Sequence, residues 1–308
     1  MNKAFRRQVR AIWEGLEQVQ GADEFANIEG GSIEQHRDRR LQLHHCANYA
    51  AILILLSEAE QHLNILEIGC GSGALSYASA RIMPSGWKLT ATDYSLQLLE
   101  HARRQYQSDN LRFEQLDLRA LRPEQLRETD IVLFLEVIEH LPRDQAAGLL
   151  HTIYQGLRPG AGLILTTLDR SPFPRAFSGY APHFVEYTYK TMVEFLASPE
   201  NNPFERFRVF RLVSPRIAAE AVRAEKRGGY LINRSYRLIL ALIRKSHAAQ
   251  GIWRAVSTFF FRLYHRLPQN GRFELEEYLD SLEFIRENPA LRNKDSFGLV
   301  ALLEKDKP

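Results

Sequence analysis

The chain has 308 residues, 45% of them hydrophobic and 25% charged, a balance that excludes a mostly disordered polymer and leaves room for one large domain or two small ones. Its 40 basic and 37 acidic residues give a formal net charge of +3, too even to mark a nucleic-acid binder by charge alone. Two cysteines, Cys46 and Cys70, exclude a disulfide scaffold and a cysteine-based zinc site, and they fit a reducing, cytoplasmic setting.

Met1–Gln20 is rich in Arg, contains Glu14 and Glu17, and lacks the apolar core of a signal peptide. No run approaches the ~18 apolar residues of a spanning helix. Residues 1–60 read as helices that cap a sheet or cover a site. A strand–helix rhythm then begins. Leu63–Ile68 is a short apolar run that stops at glycines, the mark of a buried strand. A helix follows over Ala74–Met83, ended by Pro84-Ser85-Gly86. Trp87–Thr92 is a second strand, and Ser95–Tyr106 a helix capped by Ser95. Leu111–Leu116 and Ile131–Leu135 are further strands, Asp144–Gly156 a helix, and Leu163–Thr167 the strand after the turn Arg158–Gly162. Such alternation implies crossover connections and a parallel sheet, an α/β doubly wound Rossmann-like fold.

Beyond this rhythm the chain reads as a strand at Arg206–Val213, helical patterns at Tyr230–Lys245, Gly251–Arg266 and Leu275–Arg286, and a strand at Phe297–Leu303. The two strands would form a hairpin interrupted by a helical insertion. The expected division is a cap over 1–60, a core over 61–215, an insertion over 216–294, and a last core strand with the tail over 295–308. From Arg223 to Arg266 there are ten basic residues and one acid, Glu225. With Arg234, Arg237 and Lys245 on one side of the first insertion helix, and Leu231, Leu238 and Leu242 away from it, the segment suits an anionic membrane surface, a packed helical cap, or a lid over a hydrophobic acceptor.

The first strand runs into Glu67-Ile68-Gly69-Cys70-Gly71-Ser72-Gly73-Ala74. Glycines here let the backbone turn tightly and let a ligand approach main-chain atoms, with a helix N-terminus behind them. Asp93 ends the second strand, where a carboxylate can accept both hydroxyls of a ribose, and Asp117 closes the third. No Lys-Ser/Thr phosphate cradle accompanies the turn.

This set, continued by Glu136-Val137-Ile138-Glu139-His140-Leu141 and Leu157-Arg158-Pro159-Gly160-Ala161-Gly162, resembles the class I S-adenosylmethionine-dependent methyltransferases over roughly residues 63–213. The resemblance implies S-adenosylmethionine as cofactor. Glu67, Gly69, Gly71 and Gly73 would stand at its glycine turn and methionine end, Asp93 on the ribose with Tyr94 beside the adenine, Asp117 and Leu118 at the adenine edge, and Leu135 and Glu136 near the amino acid.

On a helix beginning near Glu136, residues Glu136, Glu139 and His140 would share one face. With His183, from Pro182-His183-Phe184-Val185-Glu186-Tyr187-Thr188, they could hold a divalent metal or supply a general base, His140 or His183, that takes a proton from a substrate hydroxyl. Two family branches are similar here: the ubiquinone-biosynthesis O-methyltransferases, and the small-RNA 3′-terminal 2′-O-methyltransferases, which use all four positions as metal ligands. Thr167-Leu168-Asp169 stands where both branches have Thr-Pro-Asn. The expected activity is methyl transfer to oxygen of a small hydrophobic acceptor. RNA 2′-O-methylation and a catalytically inactive cofactor-binding scaffold are the rivals. Contact with a membrane through 223–266 is an added expectation, and nucleic acid is not an expected partner.

Overall fold

The computed structural model describes residues 2–19, 39–57, 62–243, 259, 273–286 and 292–307. Eight strands form one sheet in the order β3-β2-β1-β4-β5-β8-β6-β7. Five of them, β1 (Leu63–Ile68), β2 (Trp87–Asp93), β3 (Leu111–Gln115), β4 (Ile131–Leu135) and β5 (Gly162–Leu168), run parallel. Helices α3 (Ala74–Ala80), α4 (Leu96–Gln105) and α5 (Arg143–Gly156) make the crossovers between them. The central strands β4 and β5 are apolar on both faces because both faces are covered. Leu133, Leu135 and Ile164 enter the core shared with the N-terminal helices, while Val132, Phe134, Leu163 and Leu165 enter the core against α5.

The rhythm continues past β5 with α6 (Tyr189–Ala197), β6 (Arg206–Val213) and α7 (Pro215–Ala224). The expected hairpin is present. Strand β6 pairs antiparallel with β8 (Ser296–Glu304), which in turn lies antiparallel to β5. The Leu275–Arg286 reading is corrected: the helix α9 spans only Leu275–Ser281, and Glu283–Ile285 is the edge strand β7 on β6. Phe284 decides this, because as a strand residue its ring reaches Phe5 and Phe210 in the core.

The N-terminal helices α1 (Asn2–Val19) and α2 (Arg39–Leu55) pack on one face of the sheet. Helix α2 is buried almost all round, so its polar residues His44, Asn48 and Tyr49 need internal partners. Their partners are the acids at the carboxyl ends of β1 and β4, described below.

After α7 a π-helical turn, Glu225–Gly229, leads into α8 (Tyr230–Ile243). The expected sides of α8 are corrected. Tyr236 packs with Ile232, Ile239 and Ala181, while Leu231 and Leu238 are 64% and 59% exposed, beside exposed Arg234. The helix turns its Ile–Tyr stripe to the 175–183 segment, because that is the apolar surface within its reach. The Gly251–Arg266 reading lies outside the described residues, Phe259 excepted. Among the described residues, no helix is long and apolar enough to cross a membrane.

Candidate active site

The glycine turn closes around a single carboxylate. Gly69 and Cys70 both donate backbone N–H to the Thr92 carbonyl at 2.8 Å. Asp93 then accepts from Gly71 N–H through Oδ2 and from Ser95 N–H through Oδ1, each at 2.9 Å. Ser95 caps α4 as expected, accepting from Leu98 N–H. Gly69 sits at φ +83°, and a Cβ there would come within 2.8 Å of a Val137 methyl. Gly71 is also left-handed, but a Cβ there would meet nothing within 4 Å. The turn therefore offers open space directly beside the Asp93 carboxylate, as a backbone-hugging ligand requires.

Behind the turn Glu67 is fully buried, and it accepts from the Tyr49 hydroxyl of α2. Its second oxygen, Oε2, has no hydrogen-bond partner among the described residues. Burial pushes the Glu67 carboxyl up to about 7, against the opposing pull of Tyr49 and Ser76. Tyr94, at the end of β2, is 64% exposed. Asp117 accepts from Arg119 N–H and pairs with the Arg119 guanidinium at 2.7 Å, which holds its carboxyl down at about 2. Leu118 follows in the same 3₁₀ turn.

Glu136 departs from the sequence expectation. No helix begins there: it follows Leu135 at the end of β4 with φ +52°, a backbone that costs a non-glycine residue roughly 1–3 kcal/mol and persists where the surroundings enforce it. Only the 3₁₀ turn Ile138–His140 comes after it. Its side chain accepts from Asn48 Nδ2 at 3.0 Å and from Thr166 Oγ1 at 2.9 Å, and it lies 3.2 Å from His44 Nε2. Burial alone would raise the Glu136 carboxyl, but the neighbouring His44, His45 and Thr166 overcome it and hold it at about 2. His44 Nδ1 and Asn48 Oδ1 are buried without partners. Sequence reasoning missed both residues. The available signal was a polar His44-His45…Asn48-Tyr49 set inside an otherwise apolar helix.

The structure brings together Glu139, His140 and His183, whose ligand-type atoms lie within 4.8 Å of one another. The backbone builds this group: Phe184 N–H donates to the Glu139 carbonyl at 2.8 Å, drawing the 183–185 segment onto the turn. Glu139 accepts from Thr167 Oγ1 at 3.0 Å. Burial and the nearby Glu136 push its carboxyl well above the usual range. His140 Nδ1 lies 3.2 Å from the Pro182 carbonyl, and burial together with His183 lowers its pKa. The two imidazoles meet edge to face at 4.9 Å. His183 Nδ1 is 2.7 Å from Glu186 Oε1. Among the described residues Glu136 is not part of this group, its side chain being held by Asn48, Thr166 and His44. A cavity of about 470 Å³, lined by Ser171, Tyr189, Val193 and Arg211 among others, shares no lining residue with these sites.

Residues 65–160 match the family described as "Methyltransferase domain". Similar curated proteins include the ubiquinone biosynthesis O-methyltransferase of Psychrobacter arcticus, 30% identical over 125 residues, with 39% of this chain and 47% of the relative covered. That of Xanthomonas campestris pv. campestris is 33% identical over 130 residues, covering 41% and 49%. The chain carries a methyltransferase domain over residues 65–160. It spans about half the length of the curated relatives it matches. Among solved structures, coclaurine N-methyltransferase bound to N-methylheliamine and S-adenosylhomocysteine has a TM-score of 0.49 at 14% identity, covering 97% of this chain and 88% of that one. Phosphoethanolamine N-methyltransferase 2 of Haemonchus contortus has a TM-score of 0.47 at 15% identity, covering 98% and 60%.

The cofactor that the resemblance implies is S-adenosylmethionine, and the residues present fit it. The molecule carries a diol, an adenine, an ammonium and a sulfonium. Carboxylates at three strand ends (Glu67, Asp93 and Glu136), the orphaned Glu67 Oε2, and the open space at Gly71 suit the hydroxyls and cationic groups.

Proposed function

We propose that this methyltransferase transfers a methyl group to a hydroxyl oxygen of a small hydrophobic acceptor, with His140 or His183 taking the proton. The observation that carries the reading is the Glu139–His140–His183 group, whose Glu139 comes three residues after Glu136 at the end of β4. S-adenosylmethionine, when bound, supplies an electrophilic methyl on a good leaving group. Asp93 holds the ribose, Tyr94 flanks the adenine, and Glu136 stands at the methionine end. His140 donates Nδ1–H to the Pro182 carbonyl, which leaves the Nε2 lone pair for the acceptor proton. Its lowered pKa keeps the ring neutral, and so basic, at neutral pH. The relatives' own name, O-methyltransferase, supports oxygen as the acceptor atom. A panel of amphiphilic phenols, alcohols and amines with labelled cofactor tests this. His140→Ala should lower kcat on the accepted hydroxyl substrate by roughly 10²–10⁴-fold, and methylation of amines alone would remove the proton-transfer role.

A second reading, metal-assisted 2′-O-methylation of an RNA end, is favoured by the same three ligands, since three protein ligands are the usual complement of a catalytic metal. Activity is nevertheless expected to survive chelation, because Glu136, the fourth ligand of that branch, is committed to His44, Asn48 and Thr166. Loss of activity on chelation, restored by Mg²⁺, Mn²⁺ or Co²⁺, together with salt-sensitive RNA binding, would replace the first reading by the second.

The exposed Leu231 and Leu238 beside Arg234 support contact of α8 with an anionic membrane surface that delivers the hydrophobic acceptor. Co-sedimentation with anionic but not neutral vesicles, weakened by salt and by Arg234→Glu, is the expected result. Equal partition to both kinds of vesicle, or to neither, would remove this contact.

A further inference from the structure

His183 belongs to a buried chain of charges that no sequence motif announced. Its Nδ1 meets Glu186 Oε1 at 2.7 Å. The Glu186 carboxylate, itself almost wholly buried, also receives the Ser178 backbone N–H at 2.7 Å and the Ser178 hydroxyl. Arg170 Nε lies 3.2 Å from Glu186 Oε2, and Arg170 Nη2 lies 2.7 Å from Glu225 Oε2. Arg170 and Glu225 have side-chain exposures of only 4% and 5%. Glu225 is the one acid of the basic stretch 223–266 and starts the π-helical turn between α7 and α8. The chain therefore runs from the insertion, through Arg170 two residues after β5, to a histidine of the candidate active site.

Burying two carboxylates and a guanidinium is costly unless each is paired, and removing one partner strands the others. Such a cluster holds a single geometry. The surroundings tighten it further. Arg170 stacks over Phe173 at 3.9 Å and donates to the Arg175 carbonyl at 2.8 Å. Arg175 stacks over Tyr230 of α8 at 4.2 Å, and Arg237 of α8 over Phe177 at 4.9 Å. Asn233 donates to the Ser178 carbonyl. The 170–183 segment is thus clamped to the insertion on one side and to the sheet on the other, where Arg170 N–H bonds the Tyr187 carbonyl at 2.8 Å.

We infer that Glu186 is a positioning residue for His183, and that Arg170 and Glu225 make the insertion a structural part of the active site. A carboxylate on Nδ1 selects the tautomer with the proton on that nitrogen and leaves Nε2 as the lone pair, the general device by which a second carboxylate orients a working imidazole. The functional consequence rests on the proposed role of His183, whereas the tautomer does not.

Long-range ¹H–¹⁵N NMR of the full chain tests the two separately, with the His183 ring assigned by its disappearance in His183→Gln. The neutral wild-type ring should carry its proton on Nδ1. In Glu186→Gln the amide can accept from Nδ1–H or donate to Nδ1, so both tautomers should appear. Turnover should fall about 10- to 100-fold, with S-adenosylmethionine affinity changed less than about twofold. Glu225→Gln frees Arg170 on one side and should shift the same ¹⁵N signals by a smaller amount. A neutral wild-type ring protonated on Nε2 would overturn the positioning role outright, whatever the variants do. Unmoved ¹⁵N signals in Glu225→Gln would overturn the part assigned to the insertion. A tautomer change with turnover unaltered would leave the positioning role standing and instead remove His183 from the reaction.

Discussion

Asp93→Ala should weaken S-adenosylmethionine binding by tenfold or more, and isothermal calorimetry on folded protein measures it. The wild-type carboxylate does two things at once. It receives the N–H groups of Gly71 and Ser95, which fixes the glycine turn against the start of α4. Under the proposed function it also accepts from the ribose hydroxyls. A hydrogen bond to a charged group contributes roughly 1.5–3 kcal/mol, and about 1.4 kcal/mol is a factor of ten in affinity, so losing one such bond suffices. The alanine variant also leaves two backbone N–H groups without an acceptor, and a lower melting temperature should accompany the loss. Asp93→Asn separates the contributions, since it keeps one acceptor oxygen and loses the charge. An Asp93→Ala protein that binds the cofactor as tightly as wild type would show that the ribose lies elsewhere.

Glu67→Gln should flatten the pH dependence of stability. The folded-state value of Glu67 is about 7, above its ordinary 4.5. The native state therefore binds this proton more tightly than the unfolded chain. The stabilisation is complete below 4.5 and is lost as pH rises through 7. At 1.36 kcal/mol per unit the whole loss is on the order of 3 kcal/mol. Glu136 has the opposite sign: held at about 2, it contributes stability above 4.5 that disappears only as pH falls toward 2. Urea unfolding at pH 5 and pH 8 without cofactor should find the variant close to wild type at the lower pH, and up to about 3 kcal/mol more stable at the higher. A variant that loses as much stability as wild type between the two would mean that Glu67 is not the titrating group. Because the cofactor brings positive charge to an ionisable, buried carboxyl with a free oxygen, its binding should tighten through pH 7 in wild type and lose that dependence in the variant.

The glycine turn, Asp93 and the Ser95 cap were legible because each is a local pattern: an apolar run, a left-handed turn, and a capping residue at the head of a helix. Glu139 and His140 were legible as a motif, and their meeting with His183 as a resemblance. Glu136 was misread with them, because its spacing predicts a helix. Asn48 and His44, on a helix far earlier in the chain, instead claim its side chain. The outward side of α8 was misread for a similar reason. Charge spacing identified an amphipathic helix, but which stripe faces inward depends on Ala181, which reaches it only in the folded chain.

By itself the sequence determined the parallel α/β framework and the carboxyl-end acids that line the strand termini. All of these follow from periodicity and turn chemistry over a few neighbouring residues. Only the tertiary structure decided how the polar residues of α2 meet Glu67 and Glu136, that Glu283–Ile285 is a strand, and that Glu225, Arg170 and Glu186 join the insertion to His183. Each depends on pairing buried charges or covering apolar surface between segments far apart in sequence. Such partners have no spacing to read, because a buried polar group takes its partner from whatever the fold brings within hydrogen-bond distance.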